Sequence, residues 1–308
     1  MDRIKIKAPA TIANLSCGFD VLGLCLDKPY DEIEIKKISN KIINLNILDS
    51  PFSDIPSKPS ENTGGVPAQL ILEDMNLDFG FEINIKKGIP LCGGLGSSAA
   101  TASGVVFAIN KILDNSLTIN QMLTYALEGE KVSVTSPHAD NIAPCLAGGL
   151  CLVRDTATLD VINIPISEYS LALIHPEIKI STEDARNILP DSIELKKAIS
   201  QWGNLGALIM GFSNNDSVLI KRSMHDNIIE PVRSKFIKGF NTIKKKSIDF
   251  GALGFGISGS GPTMFALCEK KDISETICSF SKNFYNSLNM KCDTYVSNIN
   301  HEGPIIIE

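Results

Sequence analysis

The feature that most constrains this chain is a glycine-rich segment that leads directly into a run of small and apolar residues. The segment LCGGLGSSAATASG, residues 91–104, contains four glycines and four hydroxyl side chains. Glycine lets a backbone turn tightly, and the first turn of a following helix presents unpaired N–H groups at the positive end of the helix dipole. The segment therefore favours an anion-binding site, and phosphate is the anion such sites most often hold.

Two common phosphate-binding patterns do not fit this segment. The Walker pattern GxxxxGK[ST] requires a lysine, and residues 91–110 contain none. The dinucleotide pattern GxGxxG/A is met by Gly94, Gly96 and Ala99, but too many residues separate it from the preceding strand. A second match in residues 254–259 precedes a strand instead of a helix. Neither match predicts a dinucleotide site.

Size and composition narrow the class of protein. A chain of 308 residues suits two domains, and 44% apolar with 21% charged residues is typical of a globular protein. The net charge of −6 disfavours a nucleic-acid partner. We expect no membrane segment and a cytoplasmic location, because no apolar run approaches ~18 residues and the charged N-terminus does not fit a signal peptide. The eight cysteines form no CxxC pair, which favours reduced thiols and no disulfide or zinc framework.

Periodicity in the first half predicts strands and helices in alternation. Helices are predicted from Gly64, from Ser97 to about Leu113, and from Thr118, where Gln121 completes a capping box. Alternating or continuous apolar residues predict strands in RIKIKAP, DEIEIKKI, INLNIL, FEINIKK, GGLCLV and SLALIHP.

The second half predicts a run of helices followed by strands. The first helix ends before Pro190, the second is capped by Asp191 together with Glu194, and the last has Pro231 in its first turn. These helices correspond to TEDARNIL, SIELKKAISQWGNLGALIMGF, NDSVLIKRSMHD and PVRSKFIKGFNTIKKK, and the strands to GALGFGIS, PTMFALCE and CDTYVSNIN. The lysine run 244–246 is interpreted as one solvated helix face.

Both halves are thus α+β, with a boundary near residues 155–170. We predict an N-terminal domain over residues 1–165 and a C-terminal domain over residues 166–308.

Three signatures in this chain resemble the GHMP kinase superfamily, named after galacto-, homoserine, mevalonate and phosphomevalonate kinases. The first signature of the superfamily resembles residues 8–26, APATIANLSCGFDVLGLCL. The second, P-x-x-x-G-L-G-S-S-A-A, matches residues 90–100, PLCGGLGSSAA. The third resembles residues 256–263, GISGSGPT. The resemblance implies the two-domain GHMP kinase fold, with an N-terminal nucleotide-binding α+β domain and a C-terminal ferredoxin-like α+β domain, and it implies ATP as a cofactor.

Further segments resemble the homoserine kinases within that superfamily: HADNIAP at 138–144, STEDARNILP at 181–190 and IIEPVR at 228–233. The resemblance implies transfer of the ATP γ-phosphoryl group to the hydroxyl of L-homoserine in threonine biosynthesis, and a homodimer. Two alternatives stay open. One is a GHMP kinase for another small alcohol such as mevalonate, and the other is a non-catalytic paralogue that only binds ligands.

The resemblance also implies which residues bind ATP and Mg²⁺. Ser98 and Glu130 would be the metal ligands, although Glu130 by itself would be read as an exposed helical glutamate. Lys87 would place a charge near the transferred phosphoryl group, but Lys86 could serve instead, and Asn62 is a weaker candidate for the adenine pocket. The residues that would surround the phosphates are Pro90, Leu91, Cys92, Gly93, Gly94, Leu95, Gly96, Ser97, Ser98, Ala99, Ala100, Gly259, Ser260 and Gly261.

The implied acceptor is a small zwitterion. Arg186 and Arg233 would bind its carboxylate, since a guanidinium can bind two oxygens at once, and Thr182 would border them. Asp20 would bind the ammonium group. Mevalonate carries no ammonium group, and this difference disfavours it as the substrate. Considered singly, either arginine would be read as a surface charge and Asp20 as a cap.

The implied hydroxyl site contains Asn14 and Asp140, with His138 close by. Several members of the superfamily have an aspartate base at position 141, whereas this chain has Asn141, as homoserine kinases do. An amide cannot take a proton, so catalysis would depend on Asp140 as base or on positioning and electrostatics alone.

One part of the first signature departs from the superfamily. The usual N-L-G-P-G-F-D reads NLSCGFD here, so Ser16 and Cys17 replace the Gly-Pro pair while Asn14, Gly18 and Asp20 are kept. We expect a changed turn and an intact site. If Ser16 takes a positive φ, the cost is about 1 kcal/mol.

Overall fold

The computed structural model of the chain describes residues 1–48, 55–132, 139–180 and 182–308, with the side chains of these ranges except for 182–184. The strands are β1 (Arg3–Ala13), β2 (Leu22–Ile38), β3 (Ile43–Leu48), β4 (Gly80–Lys86), β5 (Leu150–Asp155), β6 (Asp160–Ile164), β7 (Ser170–Pro176), β8 (Gly254–Ile257), β9 (Met264–Cys268), β10 (Cys292–Asn298) and β11 (Ile305–Ile306). The helices are α1 (Gly65–Asp74), α2 (Ser97–Ile112), α3 (Ile119–Glu130), α4 (Ala139–Ala147), α5 (Thr182–Asn187), α6 (Leu195–Ser213), α7 (Ser217–Ser223), α8 (Glu230–Arg233), α9 (Phe240–Asp249) and α10 (Lys271–Ser287). No helix of these ranges is long and apolar enough to cross a membrane.

The first sheet follows from the predicted alternation in its strands. Its order is β11-β1-β2-β4-β3, with β5 and β6 extending from β2. Ile6, Ile33 and Ile85 form one cross-strand row and are fully buried, because each lies on the apolar face of its strand. The helix α2 lies against this face. A Cβ at Gly104 would lie 2.6 Å from Ile33 Cδ1, so glycine is what lets α2 pack so closely.

The second sheet has the expected ferredoxin-like topology. Its order is β10-β7-β9-β8 with every pair antiparallel, which is strand order 4-1-3-2 of a βαββαβ unit. Helix α10 packs on β7 and β10 as the second crossover, and the helices α5 to α9 take the place of the first. The α+β fold class is thereby confirmed.

The two halves share one core. Leu173 and Phe265 of the second sheet and Phe212 of α6 belong to the same buried cluster as Ile12 of the first sheet. The C-terminal strand β11 also pairs with β1 at the start of the chain, with Ile306 opposite Ile6. The boundary between residues 165 and 166 stays a prediction.

Two helix predictions are wrong in detail. The helix α6 begins at Leu195 and not after Asp191, and Glu194 at its N-cap makes no side-chain cap bond. Ile193 and Leu195 are 45% and 65% exposed, so no buried contact holds an earlier turn, and Ala198 is the first buried residue of the helix.

The helix predicted from Pro231 onward is in fact two helices. Pro231 does lie in the first turn of α8. A 3₁₀ turn at Ser234–Phe236 follows, and Gly239 with φ of 85° separates it from α9. In that conformation an α-helix cannot continue. The capping box of Thr118 and Gln121 is confirmed, whereas α4, α10 and β6 were not predicted.

Candidate active site

The three signatures, far apart in the chain, meet at one place. Ser258 Oγ donates a hydrogen bond of 2.5 Å to the carbonyl oxygen of Gly94, and Thr263 N donates one of 3.2 Å to that of Gly93. Gly259 N donates to the carbonyl oxygen of Ala13 at 3.2 Å, at the end of β1. From the first sheet, Thr11 N donates to the carbonyl oxygen of Leu95 at 3.1 Å. The glycine loop between β4 and α2 is therefore held from both sheets.

The glycines of the loop are required by its conformation. Gly94 and Gly96 have φ values of 78° and 64°. A Cβ at Gly94 would lie 2.2 Å from the carbonyl oxygen of Ser258, and one at Gly96 would lie 2.1 Å from Thr11 Oγ1. Gly96 is the N-cap of α2, so the loop ends at a helix N-terminus with unpaired N–H groups. The local structure has the form of a phosphate-binding loop.

Ser98 and Glu130 lie together at the start of α2 and the end of α3. Glu130 is buried, in contrast to the exposed position that its sequence alone suggests. Burial raises the pKa of its carboxyl to about 7, although a hydrogen bond with Ser98 and the charge of Lys87 act in the opposite direction. A carboxylate and a hydroxyl are the oxygen ligands that a hard divalent cation prefers, so the pair fits Mg²⁺.

Lys87 lies beneath the loop and points into the protein. Its ammonium group forms a buried ion pair with Asp31 and donates to Ser97 O at 2.9 Å and to Thr101 Oγ1 at 2.8 Å. The donors of Lys87 are thus used within the chain, and its charge near the transferred phosphoryl group stays a prediction. Its role in the structure is to fix the first turn of α2, while Lys86 is exposed on β4.

Asn62 also binds its own backbone surroundings. Its Nδ2 donates to Pro56 O at 2.7 Å, and its Oδ1 accepts from Gly64 N at 2.8 Å. These bonds fix the start of α1, so a contact of Asn62 with adenine stays a prediction.

The first signature forms a turn with left-handed backbone. Asn14, Leu15 and Ser16 have φ values of 73°, 39° and 68°, so Ser16 does take the positive φ. Asn14 connects this turn to the rest of the site: its Oδ1 accepts from Asp20 N at 3.0 Å and its Nδ2 donates to Gly259 O at 3.0 Å.

Two arginines and one aspartate lie beside this turn. Arg186 Nη2 is 2.7 Å from Asp20 Oδ2. Arg233 is buried and donates from Nη1 to Gly259 O at 2.8 Å, and burial lowers the pKa of its guanidinium. Both guanidinium groups lie over the ring of Phe19, at 5.9 and 5.2 Å from its centroid. Opposite charges of the kind that bind a zwitterion therefore lie in one region.

Asp140 and Asn141 begin α4, next to the same region. Burial, together with the nearby charge of Asp20, raises the pKa of the Asp140 carboxyl to about 7. Asn141 Oδ1 accepts from Thr11 Oγ1 at 2.7 Å. Gly23 of β2 lets α4 approach, since a Cβ there would lie 1.7 Å from the Asp140 carbonyl oxygen.

Most of the implied substrate residues thus lie together, and two do not belong to what the structure describes. His138 is outside the described residues. Thr182 is the first residue of α5, and its side chain is also outside them. Sequence reasoning missed Phe19 and Thr11, although both lie within the first signature, residues 8–26.

Comparison with protein families finds two matches. The GHMP kinases N terminal domain matches residues 66–149, and the GHMP kinases C terminal domain matches residues 195–286.

Two named relatives match over nearly all of their length. The homoserine kinase of Chlorobium phaeobacteroides (strain DSM 266) is 36% identical over 320 residues, which is 100% of both chains. That of Methanococcus vannielii is 36% identical over 300 residues, or 97% of both chains.

Among solved structures, the homoserine kinase from Cytophaga hutchinsonii has 43% sequence identity and a TM-score of 0.95, and the match covers 100% of this chain and 98% of that one. The L. major mevalonate kinase has a TM-score of 0.70 at 16% identity, covering 97% and 94%, and it shows the fold alone. With the three signatures joined at one site and relatives of this identity over its full length, the chain belongs to the homoserine kinases of the GHMP kinase superfamily.

Proposed function

We propose that this chain transfers the γ-phosphoryl group of ATP to the side-chain hydroxyl of L-homoserine, giving O-phospho-L-homoserine and ADP on the route to threonine. The observation that carries the proposal is that a phosphate-binding loop and a set of opposite charges lie side by side. Asn14 and Arg233 both bind the carbonyl oxygen of Gly259, whose neighbour Ser258 binds the loop. Release of ADP that depends on L-homoserine tests the proposal.

The ion pair of Arg186 and Asp20 supports a zwitterionic substrate. Each charge of an amino acid can take the place of one partner of this ion pair. Its carboxylate binds Arg186 and Arg233, and its ammonium group binds Asp20. Phe19 beneath both guanidinium groups limits their movement. Mevalonate offers a carboxylate but no ammonium group for Asp20, which disfavours it.

Mg²⁺ would be held by Ser98 and Glu130 together with oxygens of the nucleotide and water. When bound there, the cation neutralises negative charge on the phosphates. The loop N–H groups orient the phosphates and Lys87 keeps the first turn of α2 in place. A non-catalytic paralogue has no need of a buried carboxylate at this position.

Asp140 is the group that can accept the hydroxyl proton. With a pKa of about 7, raised by burial, its carboxyl is partly ionised at neutral pH and can accept a hydrogen bond or a proton from the hydroxyl. Asn141, whose Oδ1 accepts a hydrogen bond from Thr11, cannot accept a proton and can only orient the substrate hydroxyl. The loose transition state of phosphoryl transfer needs little activation of the nucleophile. Positioning of the reactants therefore accounts for the rest of the rate enhancement.

Replacing Asp140 by asparagine is expected to lower kcat about 100-fold, because the amide keeps the shape but cannot accept the proton. The KM for ATP should change less than about twofold. Steady-state kinetics with both substrates measure this, and Asp249→Asn on the exposed side of α9 is the matched control. An unaltered kcat in Asp140→Asn would remove Asp140 from the site.

We also propose that the enzyme is cytoplasmic and forms a homodimer through α6. This helix presents a stripe of apolar side chains at helical spacing, and a patch of that kind typically marks a protein interface. Gly206 lies on the same face with open space at its Cβ, which allows a second helix to approach. A two-fold symmetric pair of α6 helices would cover the stripe. The stripe comprises Leu195, Ile199, Trp202 and Met210, which are 65%, 57%, 63% and 52% exposed.

A charge in the centre of this stripe is expected to dissociate the dimer. Trp202→Glu should elute and scatter light as a monomer at micromolar concentration, where the parent chain is a dimer, because a buried unpaired carboxylate opposes association. Lys197→Glu, on another face of α6, is the control. A parent chain that is monomeric at this concentration contradicts the proposed dimer.

A further inference from the structure

A small, partly enclosed cavity lies next to the substrate arginine. Its volume is about 10 Å³, enough for a single water molecule. Ser16 lines it from the first signature, Glu230 and Arg233 from α8, and Asn14 and Gly259 from the side of the active site. The cavity therefore shares Asn14, Arg233 and Gly259 with the substrate site. Besides Ser16 and Glu230, its other lining residues are Asp226, Ile229 and Ile257.

Ser16 and Glu230 both line the cavity, and each has a buried polar side-chain atom. Ser16 Oγ and Glu230 Oε2 are buried, and neither has a hydrogen-bond partner within the described part of the chain. Ser16 is 4% exposed. The other carboxylate oxygen of Glu230, Oε1, is in an ion pair with Lys244. Buried polar atoms are nearly always hydrogen-bonded, so these two atoms call for a partner between them.

The short helix α8 links the cavity residue Glu230 to Arg233. Glu230 and Arg233 are the first and last residues of α8, three positions apart, and so lie on one face of the helix. Asp226 fixes the start of this short helix, since its carboxylate accepts hydrogen bonds from Ile229 N at 3.0 Å and from Glu230 N at 2.8 Å. A contact that holds the side chain of Glu230 therefore also helps to hold Arg233.

We propose that one buried water molecule joins the Ser16 hydroxyl to the Glu230 carboxylate, and that Ser16 is thereby a positioning residue for Arg233 and for the carboxylate of the substrate. The water accepts from Ser16 Oγ–H and donates to Glu230 Oε2. Glycine, which the superfamily usually has in place of Ser16, offers no such hydroxyl. The inference rests on the proposed function, because the carboxylate is that of homoserine.

Ser16→Gly separates this role from a structural one. At φ of 68° glycine is less strained than serine, so the melting temperature should not fall below that of the parent chain. Loss of the hydroxyl should raise the KM for L-homoserine about fivefold and change the KM for ATP less than about twofold. Ser281→Ala removes another buried hydroxyl that has no hydrogen-bond partner among the described residues. Ser281 lies on α10, away from the cavity, and this variant should change neither KM.

A double-mutant cycle with Glu230→Gln tests the bridge itself. Because both substitutions disturb the same water, Ser16→Gly/Glu230→Gln should raise the KM for L-homoserine little beyond the larger single effect. If the rise in the KM for L-homoserine in the double variant equals the product of the two single rises, the water bridge is overturned. An unchanged KM in Ser16→Gly, or equal rises in both KM values with a lower melting temperature, would overturn the positioning role.

A crystal structure of the parent chain gives a reading that does not depend on turnover. Electron density for one water bound to Ser16 and Glu230, lost in Ser16→Gly, is the expected result, and a cavity without that density overturns the inference. Parent enzyme that fails to phosphorylate L-homoserine contradicts the proposed function instead, so the two failures are distinguishable.

Discussion

Glu130→Gln is expected to lower kcat about 1,000-fold, since the amide has the size of the carboxylate but is a poor ligand for a hard divalent cation. Glu130 is buried beside Ser98, where few other groups can take its place. The Mg²⁺ concentration that gives half-maximal activity should rise at least about tenfold. Initial rates at saturating ATP over a series of Mg²⁺ concentrations measure both effects.

Glu128→Gln is the matched control for this variant. Glu128 lies two residues earlier on α3, where its carboxylate is exposed and pairs with Lys131. This substitution removes the same charge from the same helix and should change kcat less than about twofold. Equal losses in both variants, or no loss in Glu130→Gln, would exclude Glu130 as the metal ligand.

The raised pKa of Glu130 adds a pH dependence to the same experiment. A carboxyl with a pKa of about 7 is mostly ionised above neutrality and mostly protonated below it. Because only the carboxylate binds the cation, the half-maximal Mg²⁺ concentration should rise as pH falls from 8 to 6, by up to about tenfold per unit below the pKa. In Glu130→Gln this dependence should be absent.

Gly94→Ala is expected to raise the KM for ATP at least about 100-fold. The new Cβ would lie 2.2 Å from the carbonyl oxygen of Ser258, a backbone atom, and the φ of 78° disfavours any side chain. The loop or the Ser258 segment must then move, and the N–H groups no longer converge on phosphate. ATP binding by calorimetry and the circular dichroism of the folded variant measure the effect.

Gly149→Ala separates backbone strain from the clash. Gly149 has a similar φ of 63°, but a Cβ there would meet nothing within 4 Å. This variant should lose about 1 kcal/mol of stability from the left-handed conformation and keep its ATP affinity. Equal loss of ATP binding in the two variants would show that the contact with Ser258 is not what shapes the loop.

Sequence reasoning predicted those parts of the site that short signatures encode. The glycine loop was indicated by its residues, whereas Ser98, Asn14 and the arginine pair were implied by the family resemblance. The structure brings the described members of this set together. The burial of Glu130 was not predictable, because it depends on how α3 packs against α2 and not on the residues beside it.

Contacts between distant parts of the chain were not predicted. Asp31, 56 residues before Lys87, binds the ammonium group of that lysine in the interior. No local pattern shows that such a partner exists. The helix α10 was missed although its buried residues recur at helical spacing, because its N-cap, Lys270, makes no side-chain cap bond and gives no start signal.

The most direct test of the account is the choice of acceptor. Purified protein with Mg-ATP should release ADP when L-homoserine is added, and phosphorus NMR should show O-phospho-L-homoserine in equal amount. The kcat/KM for L-homoserine should exceed that for mevalonate at least about 100-fold, since Asp20 and the arginines recognise both charges of an amino acid. Release of ADP with mevalonate but not with L-homoserine, or no turnover with either alcohol, would contradict the account.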